Sequence, residues 1–194
     1  MHHIYHTHGF ITSSRNAGEA NKVFTIYTKE IGLIRATTQG VRRHSSKLRF
    51  ALQDFSYARI DLVRGRDVWR VISATPISSF PYARSDKYSL LLIARISKLL
   101  ERLCDGEEPN TQIFNDFISA GMFLDEPPIS KDTIQALELY VVLRVMNVLG
   151  YIGESPVLKE YLSSDFKTLS PHKILSERQS IVASINKAFL ESQL

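Results

Sequence analysis

The sequence predicts an α+β chain: a five-stranded Greek-key barrel over residues 1–80 and an all-helical domain over residues 81–194. Three observations carry this reading. Before Ser79-Phe80-Pro81 the apolar residues alternate or fall in short β-branched runs; after it they recur every three or four residues. Turn formers divide the first part into five short segments, the pattern of a small barrel. Charge divides at the same place. Residues 1–80 hold 12 Lys/Arg against 5 Asp/Glu, a net +7, while residues 81–194 hold 12 against 15, a net −3. Such an asymmetry points one half toward a polyanion.

The elements follow in order. An opening strand is expected around Ile4–Thr12. Residues 22–28, Lys-Val-Phe-Thr-Ile-Tyr-Thr, are rich in strand formers, and the run resumes over 33–38. The two make a hairpin around Lys29-Glu30-Ile31-Gly32. Residues 55–63 alternate, with Phe55, Tyr57, Arg59, Asp61 and Val63 on one face and Ser56, Ala58, Ile60 and Leu62 on the other. Arg64-Gly65-Arg66-Asp67 turns the chain into a fifth strand over 68–72. Five short strands with a long connection after the third suit a barrel of the OB type.

In the helical half, Ser85 is the expected first N-cap, with Asp86 in the first turn where the helix dipole favours an acid. Tyr88, Leu91, Leu92, Ile96, Leu99, Leu100 and Leu103 form an apolar stripe that ends at Gly106. A second helix covers about 110–124, through Ile113, Phe114, Phe117 and Ile118. Ser130 caps a third. Its Ile134, Leu137, Tyr140, Val141, Val145, Val148 and Leu149 are apolar on more than one face, so it is the expected central helix, ending at Gly150. Short helices are expected after Ser155-Pro156 and Ser170-Pro171, each with proline at the first helical position. The last of these, with Ile174, Ile181, Val182, Ile185 and Phe189, is expected to close the bundle.

Bulk numbers narrow the function classes. Hydrophobic residues make up 44% and charged residues 23% of the chain, which suits a soluble protein. No apolar run approaches the roughly 18 residues of a membrane helix. The histidine-rich start is not a signal peptide. A single cysteine, Cys104, allows no internal disulfide and no multi-cysteine zinc site, and a reducing cytoplasm is the expected setting. Cys104 itself reads as a core residue. His2, His3, His6 and His8 have no acid or sulfur near them in sequence to complete a metal site, so no metal is expected. Phosphate-loop, nucleophile-elbow and His-Glu-x-x-His patterns are absent from the sequence. The chain therefore reads as a binding protein rather than an enzyme, with no cofactor.

The strongest motif lies in Gly40-Val41-Arg42-Arg43-His44-Ser45-Ser46-Lys47-Leu48-Arg49-Phe50. Arg42, Arg43, Lys47 and Arg49 fall within eight residues, and no acid interrupts them until Asp54. Clustered cations repel one another unless a polyanion offsets them, and each phosphate contact adds sequence-independent affinity. Lys22, Arg35, Arg64 and Arg66 are expected to extend the patch. Among the barrel aromatics, Tyr57 and Tyr27 are the stacking candidates for unpaired bases, being amphipathic, while Phe10, Phe24, Phe55 and Trp69 are expected in the core.

These residues resemble the RecO family of bacterial recombination mediators. Gly18-Glu19-Ala20-Asn21-Lys22 is similar to its Gly-Glu-x-Asp/Asn-Lys segment. Gln39-Gly40-Val41-Arg42-Arg43, then Ser46-Lys47-Leu48-Arg49, is similar to its Lys-Gly-x-Arg-Arg…Ser-x-Leu-Arg loop. Leu52-Gln53-Asp54-Phe55 follows Leu-Gln-Pro-Phe, and Arg64-Gly65-Arg66 and Leu149-Gly150-Tyr151 fall in place. Gln39 and Asp54 depart from the family's lysine and proline. The four-cysteine zinc module that many members carry after Leu-Gly-Tyr has no counterpart in a chain with one cysteine.

The resemblance implies an OB domain followed by a helical domain. It implies binding of single- and double-stranded DNA, annealing of complementary strands and help in loading the RecA recombinase. It implies partnership with RecR and with the C-terminal tail of single-strand binding protein, no nucleotide cofactor, and a cytoplasmic, nucleoid-associated location. Lys131, Arg144 and Lys159 are possible anchors for a partner's carboxylate. Two alternatives stand beside this reading: a protein–protein adaptor that docks such a tail or RecR without touching DNA, and an RNA-binding barrel.

Overall fold

The computed structural model describes residues 3–66, 68–104, 106–153, 158, 161–162, 166 and 170–191. Five strands lead: β1 (Ile4–Ala17), β2 (Asn21–Thr28), β3 (Gly32–Thr38), β4 (Tyr57–Arg64) and β5 (Trp69–Ser78), with a short helix α1 (Leu48–Ala51) between β3 and β4. They close a barrel in the order β1-β2-β3-β5-β4, the OB arrangement expected from the sequence. All pairings are antiparallel except β3–β5, which pair in parallel at Ala36–Trp69 and Thr37–Arg70. Helices follow: α2 (Pro81–Ser85), α3 (Lys87–Leu103), α4 (Thr111–Leu124), α5 (Lys131–Val148), α6 (Pro171–Ser176) and α7 (Arg178–Glu191). No described helix is long and apolar enough to cross a membrane.

β1 is long because it serves two partners. Residues 4–10 pair with β4 and residues 9–17 with β2. The handover falls at Gly9, where a Cβ would meet the Ile26 and Ile60 side chains at 2.7 and 2.8 Å. Only glycine lets the strand bend that close to the barrel interior. The second half of β1, Ser13-Ser14-Arg15-Asn16, lacks apolar alternation, and so the sequence places its end too early. Backbone pairing with β2 carries it to Ala17. β4 begins at Tyr57, not at 55, because Phe55 takes a left-handed turn (φ 61°) and donates its N–H to the Ile11 carbonyl at 2.7 Å. Ala58, Ile60 and Leu62 fill the barrel as their alternation requires.

The core extends beyond the barrel. Ile11 and Ile26 face inward, while their neighbours Phe10 and Tyr27 face outward and are just as buried. The helices cover them: Phe10 meets Phe117 edge-on at 4.6 Å, and Tyr27 lies 5.9 Å from Phe114. One apolar cluster thus runs from the outer face of β1 and β2 through α3, α4 and α5. Polar links join the same surfaces. The Ser13 hydroxyl donates to Glu101 at 2.8 Å, and the Leu33 N–H donates to the Gly106 carbonyl at 3.0 Å.

Gly32 sits at this seam with φ 95°, and a Cβ there would lie 2.7–2.8 Å from the Glu108 backbone. Gly32→Ala is expected to cost about 2–4 kcal/mol, combining left-handed strain with a clash against immobile backbone. A shift of the urea midpoint at unchanged slope checks it.

The helix starts differ in one place from expectation. Ser85 closes α2, its hydroxyl donating to the Tyr82 carbonyl at 2.7 Å. Asp86 is itself the cap of α3 and accepts from the Ser89 N–H at 2.7 Å. That hydrogen bond holds its carboxyl below the ordinary aspartate range. Asn110 and Ser130 cap α4 and α5 in the same way. Tyr88 and Leu91, expected in the buried stripe of α3, are exposed instead. The chain expected to form one last helix divides into α6 and α7 around Glu177. The helix expected after Ser155-Pro156 lies outside the described residues.

Candidate nucleic-acid interface

The basic loop is anchored, not free. Val41 is buried as part of the barrel core, and Leu48 and Leu52 pack against the same cluster. The Gly40 N–H donates to Asn21 Oδ1 at 2.9 Å, and the Arg42 N–H donates to the Ala20 carbonyl at 3.0 Å. The Arg42 guanidinium donates to the Gly18 carbonyl at 3.1 Å. These bonds fasten the loop to the β1–β2 turn and so bring Lys22 beside it. Gly40 has φ 67°, the turn conformation that glycine adopts without strain.

Lys22, Arg42, Arg49 and Arg84 line a cleft of roughly 450 Å³, together with Gln53 and Asp54. Four cations against one carboxylate leave it strongly positive. Arg43 and Lys47 stand exposed on the same loop. Among the described residues, none of Lys22, Arg42, Arg43, Lys47 and Arg49 forms an ion pair. Their charge is therefore available to an outside anion. Arg84 escapes a sequence reading because it comes from α2, in the other half of the chain. Its guanidinium donates to Gln53 Oε1 at 3.1 Å, which holds it over the cleft.

The other expected cations lie elsewhere. Arg35, exposed on β3, borders a second cleft with Trp69, Glu101 and Glu107. Arg64 is paired with Glu107 and lies over the Trp69 ring at 4.8 Å, while the Trp69 indole N–H donates to the same carboxylate at 3.0 Å. The Arg64 hydrogen bond holds the Glu107 carboxyl below its usual range. Arg64 thus joins barrel to helices and does not belong to the open cationic patch. Arg66 is exposed on the β4–β5 turn, and its neighbour Asp67 lies outside the described residues.

The stacking candidates are covered. Tyr27 is wholly buried, and burial pushes its phenol far above the ordinary value. Tyr57 is half-buried against Phe114 at 6.1 Å. Phe50, beside Arg49, is exposed instead.

The early histidines gain acids that sequence distance hides. β1–β4 pairing sets His6 Nδ1 2.7 Å from Asp61, and His8 lies 3.7 Å from Glu30. Among the described residues, no group of three or more His, Cys, Asp or Glu is placed to hold a metal ion.

In the helical half Arg144 makes a two-pronged pair with Asp116, at 2.9 and 3.0 Å. It is thereby committed to the core. Burial raises the Asp116 carboxyl even against that pull. Lys159 lies outside the described residues, and Lys131 rests over the Tyr88 ring at 5.5 Å.

Comparison with known proteins agrees with the barrel. Residues 1–80 match the family described as Recombination protein O N terminal. Over 148 residues the chain is 30% identical to the DNA repair protein RecO of Desulfitobacterium hafniense, covering 76% of this chain and 52% of that protein. It is 30% identical over 158 residues to that of Alkaliphilus metalliredigens, covering 81% and 61%. It is 28% identical over 168 residues to that of Dehalococcoides mccartyi, covering 87% and 64%. The chain thus spans about half to two thirds of the length of these relatives. With the OB order of its strands, the first part of the chain matches the N-terminal domain of the RecO family, and the similarity to RecO proteins continues into the helices.

Proposed function

We propose that the chain is a non-enzymatic mediator of recombinational DNA repair. It binds single- and double-stranded DNA, anneals complementary strands and assists RecA loading, working with RecR and the tail of single-strand binding protein in the cytoplasm at the nucleoid. Residues 1–80 form its DNA-binding unit and residues 81–194 the unit that docks partners. The observation that carries this reading is the convergence of Lys22, Arg42 and Arg49 on one cleft, with Arg43 and Lys47 beside it and, among the described residues, no acid paired to any of them. A groove that neutralises successive phosphates lets two strands approach despite their mutual repulsion.

A specific observation also favours the adaptor reading. A groove of roughly 470 Å³ between α3, α5 and α7 is lined by Tyr88, Leu91, Leu139 and Val142, with Lys131 and Arg178 beside them. Apolar walls with cations suit an acidic-hydrophobic tail. The two readings separate in a strand-annealing assay with complementary oligonucleotides coated by cognate single-strand binding protein, run at low and high salt. Salt-sensitive acceleration is expected. No acceleration, with tight binding to the coating protein retained, moves the assignment to the adaptor.

A further inference from the structure

We propose that Phe50 is a base-stacking residue that selects unpaired over paired DNA. The proposal rests on the DNA-binding reading above and adds the form of strand that the site takes. At 62% exposure, Phe50 gives more of itself to solvent than any other described Phe, Tyr or Trp. Its position on α1 dictates this. Leu48 and Leu52 pack on the barrel core, Ala51 is buried, and the ring of Phe50 is left outside. The Arg49 guanidinium lies over one face of the ring, 5.0 Å from its centroid.

An aromatic face left to water forgoes apolar burial that a flat partner would restore. Arg49 also lines the cationic cleft, so the ring and the phosphate-binding groups are adjacent. A nucleotide carries its phosphate and its base on different sides of the sugar. One nucleotide can therefore place its phosphate among Lys22, Arg42, Arg49 and Arg84 and lay its base on Phe50. The stack needs an unpaired base, because base faces inside a duplex are already covered. The cations act on either form of DNA, and Phe50 adds affinity only for the single strand.

The test compares wild type, Phe50→Ala and Phe50→Trp by fluorescence anisotropy, on an unstructured labelled oligonucleotide and on its duplex. Phe50→Ala is expected to weaken single-strand binding about tenfold, from the loss of one stacked base. Duplex binding stays within about twofold, and the slope of affinity against salt is unchanged, because no cation is removed. Phe50→Trp retains single-strand affinity, and its indole emission is quenched on binding, above the background of Trp69. Equal losses on both forms, or wild-type affinity of Phe50→Ala for the single strand, overturn the proposal while leaving DNA binding intact. Wild type that binds neither form overturns the DNA-binding reading, and this one with it. An unchanged melting temperature of Phe50→Ala separates the effect from misfolding.

Discussion

Replacing Arg42, Arg43, Lys47 and Arg49 together with alanine is expected to remove most of the affinity for DNA and much of its salt dependence on this surface, leaving Lys22 and Arg84. Each phosphate neutralised on a single strand contributes about −0.7 to the slope of log affinity against log salt, so four contacts contribute about −3. Over a change from roughly 50 to 200 mM salt those four alone account for about a fifty-fold loss. The quadruple variant should therefore bind far more weakly at low salt, with a slope shallower by about three and the same loss for every base sequence. Stability should change little, because the backbone bonds and Val41 that fasten the loop are spared and the Arg42–Gly18 bond that is lost is exposed. An unaltered titration curve would remove the loop from the DNA site.

Phe117→Ala in α4 is expected to destabilise the barrel along with the helices. The Phe117 ring is 3% exposed and packs edge-on against Phe10 of β1 at 4.6 Å. Truncating it opens a cavity where the two parts meet and costs about 3–5 kcal/mol. That is a large share of the 5–15 kcal/mol typical of a folded domain. Trp69, the one tryptophan of the chain, reports on the barrel, and far-ultraviolet dichroism reports mainly on the helices. Both signals should shift to lower denaturant by the same amount and remain coincident, the mark of one cooperative unit. A Trp69 transition that stays put while the helical signal shifts would show that the barrel stands without its cover. Phe10 and Tyr27 would then be stabilised mainly within their own strands.

Much of the architecture was legible because local chemistry and the final fold agree. The alternation of Ala58, Ile60 and Leu62 survives intact, since one face of β4 fills the barrel. Ser130 caps α5 from its own side chain, three residues from its partner. The cations of the 42–49 loop were legible as a group because they are neighbours in sequence. Legibility failed where the deciding partner is distant. β1 runs past Thr12 on hydrogen bonds from β2, which leave no mark in its own side chains. Tyr27 reads as an amphipathic strand residue until α4 covers it. Tyr88 and Leu91 match the apolar stripe of α3 yet stay exposed, bordering a groove rather than filling a core.

The charge of the candidate site follows the same division. Composition alone determined that the first half is basic and that a run of cations lacks acids. Which of those cations remain available was decided by contacts across the chain. Glu107, 43 residues beyond Arg64, neutralises it, and Asp116 commits Arg144. Gln53 holds Arg84 over a cleft that the loop builds with Lys22. Strand periods, caps and charge runs depend on neighbours along the chain, so the sequence by itself determined the barrel, the helices and the basic loop. Burial and ion pairing depend on neighbours in space, so only the tertiary structure decided that Tyr27 is closed, that Phe50 is open, and that the two halves share one core.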